Sequence, residues 1–194
     1  MTIIINGLEL LPGRRRVKVD ELFGSGISLG VLQGQPIEVP KDTRSICVLQ
    51  SESCTVPWSH GGVVGSQDAT TCVIVFVLCG FGVTVLHFDE GTSASNEYLS
   101  KTLTGIQPSE KDVQLHMIGG YDDEKDTGQV VLENLLSFFN SQPICFNLVT
   151  SAVGKLNTKV VDDGHNRKYT SPIYDGASVC LSTRRLSPSK FLDR

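Results

Sequence analysis

Two continuous apolar runs stand out in the pattern of hydrophobic and polar positions. Residues 73–78 read Val-Ile-Val-Phe-Val-Leu, and Val83-Thr84-Val85-Leu86 follows shortly after and ends on His87, Phe88 and Asp89. Short apolar runs bounded by turn residues are the signature of strands covered on both faces. Between them, Cys79-Gly80-Phe81-Gly82 supplies two glycines that accept the positive φ values of a tight hairpin. A hairpin centred near Gly80 would bring Cys72, which opens the first run, opposite His87 to within about one residue.

Further strand-like runs are predicted at 45–50, 113–118, 144–150 and 173–182. Two helices fit between strands, at 95–103 and 126–140. The second places Val131, Leu135 and Phe139 at i, i+4 and i+8, with Val130, Leu132 and Leu136 widening the stripe. As a crossover between the strands at 113 and 144, it would make those two parallel. Residues 119–124, Gly-Gly-Tyr-Asp-Asp-Glu, read as a strand-to-helix turn with acids in the first helical turn, because three carboxylates would repel a phosphate. Residues 1–44 are broken by glycine and proline and predict one short strand, then irregular structure or a brief helix. Residues 186–194 carry no structural terminus. The expected architecture is a single α+β domain over 1–194, with a layered, largely antiparallel or mixed sheet and a few packed helices.

Composition narrows the class. The 194 residues are 40% hydrophobic and 20% charged, with a net charge of −4, which suits a globular fold and gives no electrostatic reason to expect nucleic acid. The basic runs at 14–18 and at Arg184-Arg185 read as solvated surface. Six cysteines contain no Cys-x-x-Cys pair and lack the density of a secreted disulfide scaffold. Cys145 and Cys180, inside strand-like runs, are expected to be small buried hydrophobes. With no signal-like or membrane-length apolar segment, the expected setting is reducing, cytoplasmic or nuclear, for a monomer without membrane partners. No Cys/His/Asp set shows metal-ligand spacing, so no metal is expected.

The candidate chemistry lies at the hairpin. A thiol at Cys72 and an imidazole at His87, held at one end of a sheet, make a nucleophile and its base. Thr70 and Thr71 offer hydroxyls and backbone N–H groups beside the sulfur, where an oxyanion would develop. Ser66 can orient the imidazole, whereas Asp68 either takes part in the site or caps a turn. His60, His116 and His165 have no cysteine at hairpin distance.

The stretch 65–72, Gly-Ser-Gln-Asp-Ala-Thr-Thr-Cys, followed by its apolar strand, resembles the active-site segment of the protein N-terminal asparagine amidohydrolase family. The similarity extends through residues 86–92, 113–123 and 147–150, covers roughly 45 to 180, and is most specific in Asp-Ala-Thr-Thr-Cys. It reaches further to bacterial chemoreceptor glutamine deamidases and to the catalytic domain of cytotoxic necrotizing factor, which also set a Cys–His pair on a hairpin. Ser66 matches the hydroxyl residue upstream of the cysteine in the chemoreceptor deamidases. The Cys72–His87 hairpin is shorter than in the animal enzymes, and the chain is expected to lack the family's C-terminal portion.

The resemblance implies hydrolysis of the side-chain amide of N-terminal Asn through a Cys72 thioester, with His87 as base and no cofactor. Protein or peptide substrates beginning with Asn would be the partners, and the product would enter the arginylation branch of the N-degron pathway. Selectivity for a chain terminus calls for an acid that recognises the free α-ammonium, and Glu52 and Asp68 are the candidates. The competing readings are an internal glutamine deamidase and an inactive truncated form that acts as a binding protein.

Overall fold

The computed structural model describes residues 3–5, 8–9, 32, 34–41, 43–165 and 167–192. The basic run at 14–18 and most of the 1–44 segment lie outside the described residues.

Strands β1 (Ile3–Ile5), β2 (Leu8–Glu9), β5 (Ser53–Pro57), β7 (Val73–Leu78), β8 (Gly82–Phe88), β9 (Val113–Tyr121) and β10 (Phe146–Gly154) form a seven-stranded sheet in the order β2-β1-β10-β9-β7-β8-β5. A five-stranded sheet has the order β3-β14-β13-β6-β4, from β3 (Ile37–Val39), β4 (Ser45–Cys47), β6 (Val63–Ser66), β13 (Ala177–Cys180) and β14 (Arg185–Phe191). A hairpin of β11 (Thr158–Asp162) and β12 (Lys168–Pro172) stands as its own two-stranded sheet. The helices are α1 (Glu90–Ser93), α2 (Asn96–Thr102) and α3 (Thr127–Ser141).

Strands β7 and β8 are buried along their whole length because both of their faces are covered. Val73, Val75, Val77, Leu86 and Phe88 pack with Leu99, Val131, Leu135 and Phe139 on the helical side. Ile74, Phe76, Leu78, Val83 and Val85 pack with Val64, Ala177 and Val179 of the smaller sheet on the other. Each such fully buried side chain stabilises the fold by about 1.5–3 kcal/mol. The result is a helix–sheet–sheet sandwich of mixed α+β class, in which β9 and β10 pair in parallel across α3 as expected.

Several expectations change. The hairpin register is displaced by two positions, with Val73 facing Phe88 and Ile74 facing His87, so Cys72 continues the register opposite Asp89. Val130 is exposed on α3 rather than part of its buried stripe. None of the acids at 122–124 lies in the first turn of α3. Asp123 instead accepts from the main-chain N–H groups of Lys125, Thr127 and Gly128 at 3.0, 3.2 and 2.9 Å, capping the helix from outside. Residues 186–191 of that last segment lie in strand β14. Pro188 pairs with Ala177 and sits just before the residues of β14 that pair with β3, where a missing N–H breaks no ladder on that side. Cys145 is exposed and Cys180 half-buried, since Ile144 and Phe146 take the inward positions around Cys145.

Candidate active site

The polar loop 67–72 carries the chain from β6 of the smaller sheet to β7 of the larger one. Its start is fixed by Ala69 N–H donating to the Asp175 carbonyl at 2.8 Å, and its end by Gly120 N–H donating to the Cys72 carbonyl at 2.7 Å. Gly119 makes that close approach possible. At φ 106° it occupies a region that L side chains avoid, and a Cβ there would lie 2.6 Å from the Cys72 carbonyl oxygen.

Cys72 thus sits at the mouth of β7 with 7% of its surface exposed. Ile74, two residues on, lies beside His87 and on the same face. Cys72 and His87 are therefore diagonal cross-strand neighbours on the face toward the smaller sheet, a separation of roughly 7–8 Å between backbones that an imidazole can bridge.

Ser66 is contributed by the opposing sheet. It is fully buried at the end of β6, and its Oγ lies 2.8 Å from His87 Nδ1 and 2.5 Å from the Val48 carbonyl oxygen. A hydroxyl has one proton, and only the carbonyl cannot donate, so the Ser66 proton goes to Val48 and Ser66 accepts from His87. That fixes the neutral imidazole with its proton on Nδ1 and a lone pair on Nε2. His87 is 2% exposed, and Nε2 has no partner among the described residues. A buried, unpartnered acceptor on the face that carries a thiol is the arrangement of a general base awaiting its proton.

Electrostatics make this a neutral pair at rest. Burial pushes the Cys72 thiol above its ordinary value and the charge of Asp89 adds to the effect, while a hydrogen bond from the Thr71 side chain opposes it. Burial also lowers the pKa of His87, against the attraction of Asp68 and Asp89.

The other expected residues separate by position. Asp68 is exposed in a left-handed conformation, φ 64°, and its carboxylate accepts from Gln67 Nε2 at 3.2 Å. Its main-chain carbonyl, not its side chain, closes the turn by accepting from Thr70 N–H at 3.0 Å. That bond occupies the Thr70 N–H expected to face an oxyanion, whereas Thr71 and Cys72 donate to no main-chain carbonyl outside the sheet ladders among the described residues. Glu52 is exposed and folds back on its own turn, accepting from Leu49 N–H at 3.0 Å, and its charge acts on Cys54. His116, deep between the sheets, bonds Thr150 Oγ1 at 3.0 Å through Nδ1, and burial pushes its pKa down to about 4.

As contributors to the site, Asp89 and residues 48–51 escaped the sequence reading. Asp89 and Thr92 form a reciprocal capping box at the start of α1, a pattern legible as Asp-x-x-Thr before a helix. The contacts of Asp89 with Gln50 and Ser51 have no local signature, since they span 39 and 38 residues.

The chain matches known proteins over most of its length. The family model described as protein N-terminal asparagine amidohydrolase matches residues 35–194. The protein N-terminal asparagine amidohydrolase of Sus scrofa is 30% identical over 203 residues, aligning 96% of this chain with 63% of its own length. That of Homo sapiens is 28% identical over 203 residues, covering 96% of this chain and 64% of its own. The chain spans less than two thirds of the length of these relatives.

Proposed function

Because this chain belongs to the protein N-terminal asparagine amidohydrolase family, we propose that it hydrolyses the side-chain amide of an N-terminal asparagine, with Cys72, His87 and Ser66 as the working residues. The observation that carries the reading is the buried, unpartnered Nε2 of His87, presented on the face of Cys72 by the Ser66 hydrogen bond.

Cys72 Sγ attacks the amide carbon as its proton passes to His87 Nε2. The N–H groups of Thr71 and Cys72 stabilise the oxyanion. His87 returns the proton to the amide nitrogen, the C–N bond breaks, and ammonia leaves a Cys72 thioester. Water then attacks the thioester while giving a proton to Nε2, and that proton returns to sulfur as N-terminal aspartate departs.

Asp68 is the acid we assign to the substrate's α-ammonium. It lies four residues before the nucleophile, its charge acts on His87, and the only hydrogen-bond partner of its carboxylate among the described residues is the neighbouring Gln67. Glu52 is the weaker candidate, being engaged by Leu49. The aspartate product would enter the arginylation branch of the N-degron pathway.

The test is mass spectrometry of three peptides incubated with the purified chain: Asn-initiated, N-acetylated Asn-initiated, and one with internal Gln. Deamidation of the first alone is expected. Conversion of internal Gln would favour a glutamine deamidase, and no conversion combined with ordinary Cys72 reactivity would favour a binding role.

A further inference from the structure

Segment 48–52 touches His87 at every level. Ser51 N–H donates to the His87 carbonyl at 2.9 Å, His87 N–H donates to the Glu52 carbonyl at 3.1 Å, and the Val48 carbonyl takes the Ser66 proton. The tautomer of the imidazole therefore depends on where this segment lies. Yet its turn is unfavourable by itself, because Ser51 is held at φ 64°, a left-handed conformation that a non-glycine residue keeps only when its surroundings over-determine it.

Those surroundings converge on Asp89. Its Oδ2 accepts from Ser51 Oγ at 2.6 Å and Gln50 Nε2 at 3.0 Å, while Oδ1 accepts from Thr92 N–H at 2.8 Å and Thr92 Oγ1 at 2.9 Å. Tyr98 Oη adds a bond to the Ser51 carbonyl at 3.1 Å. One carboxylate oxygen thus anchors α1 and the other clamps the strained turn. Burial by itself would raise the Asp89 carboxyl, but these hydrogen bonds hold it well below the usual carboxylate range, so the clamp stays ionised.

We propose that Asp89 is a positioning residue for the base: by clamping Gln50 and Ser51 it keeps the Val48 carbonyl on Ser66, and so keeps the His87 proton on Nδ1 and Nε2 open for the thiol. If the turn relaxes and Val48 withdraws, the Ser66 hydroxyl is free to donate to Nδ1. The ring proton then moves to Nε2, which can no longer accept from Cys72.

This inference rests on the proposed proton transfer from Cys72 to His87, but its readout needs no substrate. The experiment compares the imidazole ¹⁵N resonances of His87 and the alkylation rate of Cys72 in wild type, Asp89→Ala, Thr92→Val and Asp89→Ala/Ser51→Gly. Asp89→Ala is expected to produce the Nε2–H tautomer and to slow alkylation at neutral pH by roughly tenfold. Thr92→Val, which leaves the clamp in place, should keep the Nδ1–H form. Glycine at 51 takes positive φ without strain, so Ser51→Gly should restore most of the loss.

A purely electrostatic Asp89 predicts the reverse, since removing its charge would make the thiol more acidic and alkylation faster. That result, an unchanged tautomer in Asp89→Ala, or equal effects of Thr92→Val and Asp89→Ala would overturn the proposal. The expected tautomers without deamidation of any Asn-initiated peptide would instead sink the proposed function and leave the clamp standing.

Discussion

Ser66 Oγ and His87 Nδ1 lie 2.8 Å apart across two different sheets, and the imidazole is the donor because the Ser66 proton is already committed to Val48. Ser66→Ala removes the acceptor and leaves the ring free to turn. The expected outcome is turnover lower than wild type but above that of Cys72→Ser, with slower alkylation of Cys72 near neutral pH. A hydroxyl that served only the turn would cost about 1 kcal/mol of stability and leave chemistry alone. Measuring the unfolding midpoint and the alkylation rate on one sample separates the two.

Cys72→Ser should show no measurable deamidation with an unchanged fold, and Cys79→Ser, whose sulfur bonds the Gly82 carbonyl in the hairpin turn, should remain active. His87→Asn is expected to lower kcat on the order of 10²-fold or more with little change in KM, because the base and the acid for ammonia are lost together. His116→Asn should not. Wild-type kinetics in His87→Asn would reassign the base.

Gly119→Ala places a methyl group against the carbonyl oxygens of Cys72 and Ala69, 2.6 and 2.9 Å away, at φ 106°. Gly154 also has positive φ, 56°, but nothing lies within 4 Å of its Cβ position. Gly154→Ala therefore reports conformational strain without collision, about 1–3 kcal/mol. Gly119→Ala adds a collision to its strain, so it should cost more and also depress kcat by displacing the nucleophile. Denaturant midpoints and kcat of the pair test this, and equal midpoints would show that the loop absorbs the methyl group.

Stability should fall as the medium is acidified. His116 is held neutral down to about pH 4 by burial, against an unfolded value near 6.5, so in that window the unfolded chain binds more protons than the folded one. The contribution is fully present above about pH 6.5 and is lost as pH falls toward 4, on the order of 1 kcal/mol for each pH unit. His87, also lowered by burial, acts in the same direction. Urea midpoints at pH 7 and pH 5 should differ less in His116→Asn than in wild type, and an unchanged difference would exclude His116 as the source.

What the chain shows without its tertiary structure is local. The apolar runs of β7 and β8 and the stripe of Val131, Leu135 and Phe139 each report burial along one element, and burial imposes a period on consecutive residues. The parallel pairing of β9 and β10 followed from a helix that had to cross between them. Cys72 was visible because a polar loop delivers it into a strand covered on both faces.

The rest depended on how elements separated along the chain meet in space. The hairpin register follows from a turn centred between Gly80 and Phe81, where Cys79 N–H donates to the Gly82 carbonyl at 3.0 Å, and it moved Cys72 from opposite His87 to the diagonal position. Ser66 reaches His87 across 21 residues and Val48 across 18, because the smaller sheet closes over the larger one. A residue pattern can suggest that a serine stands near a histidine. Which atom carries the proton is decided only by the third partner, a main-chain carbonyl that has no side-chain identity to read.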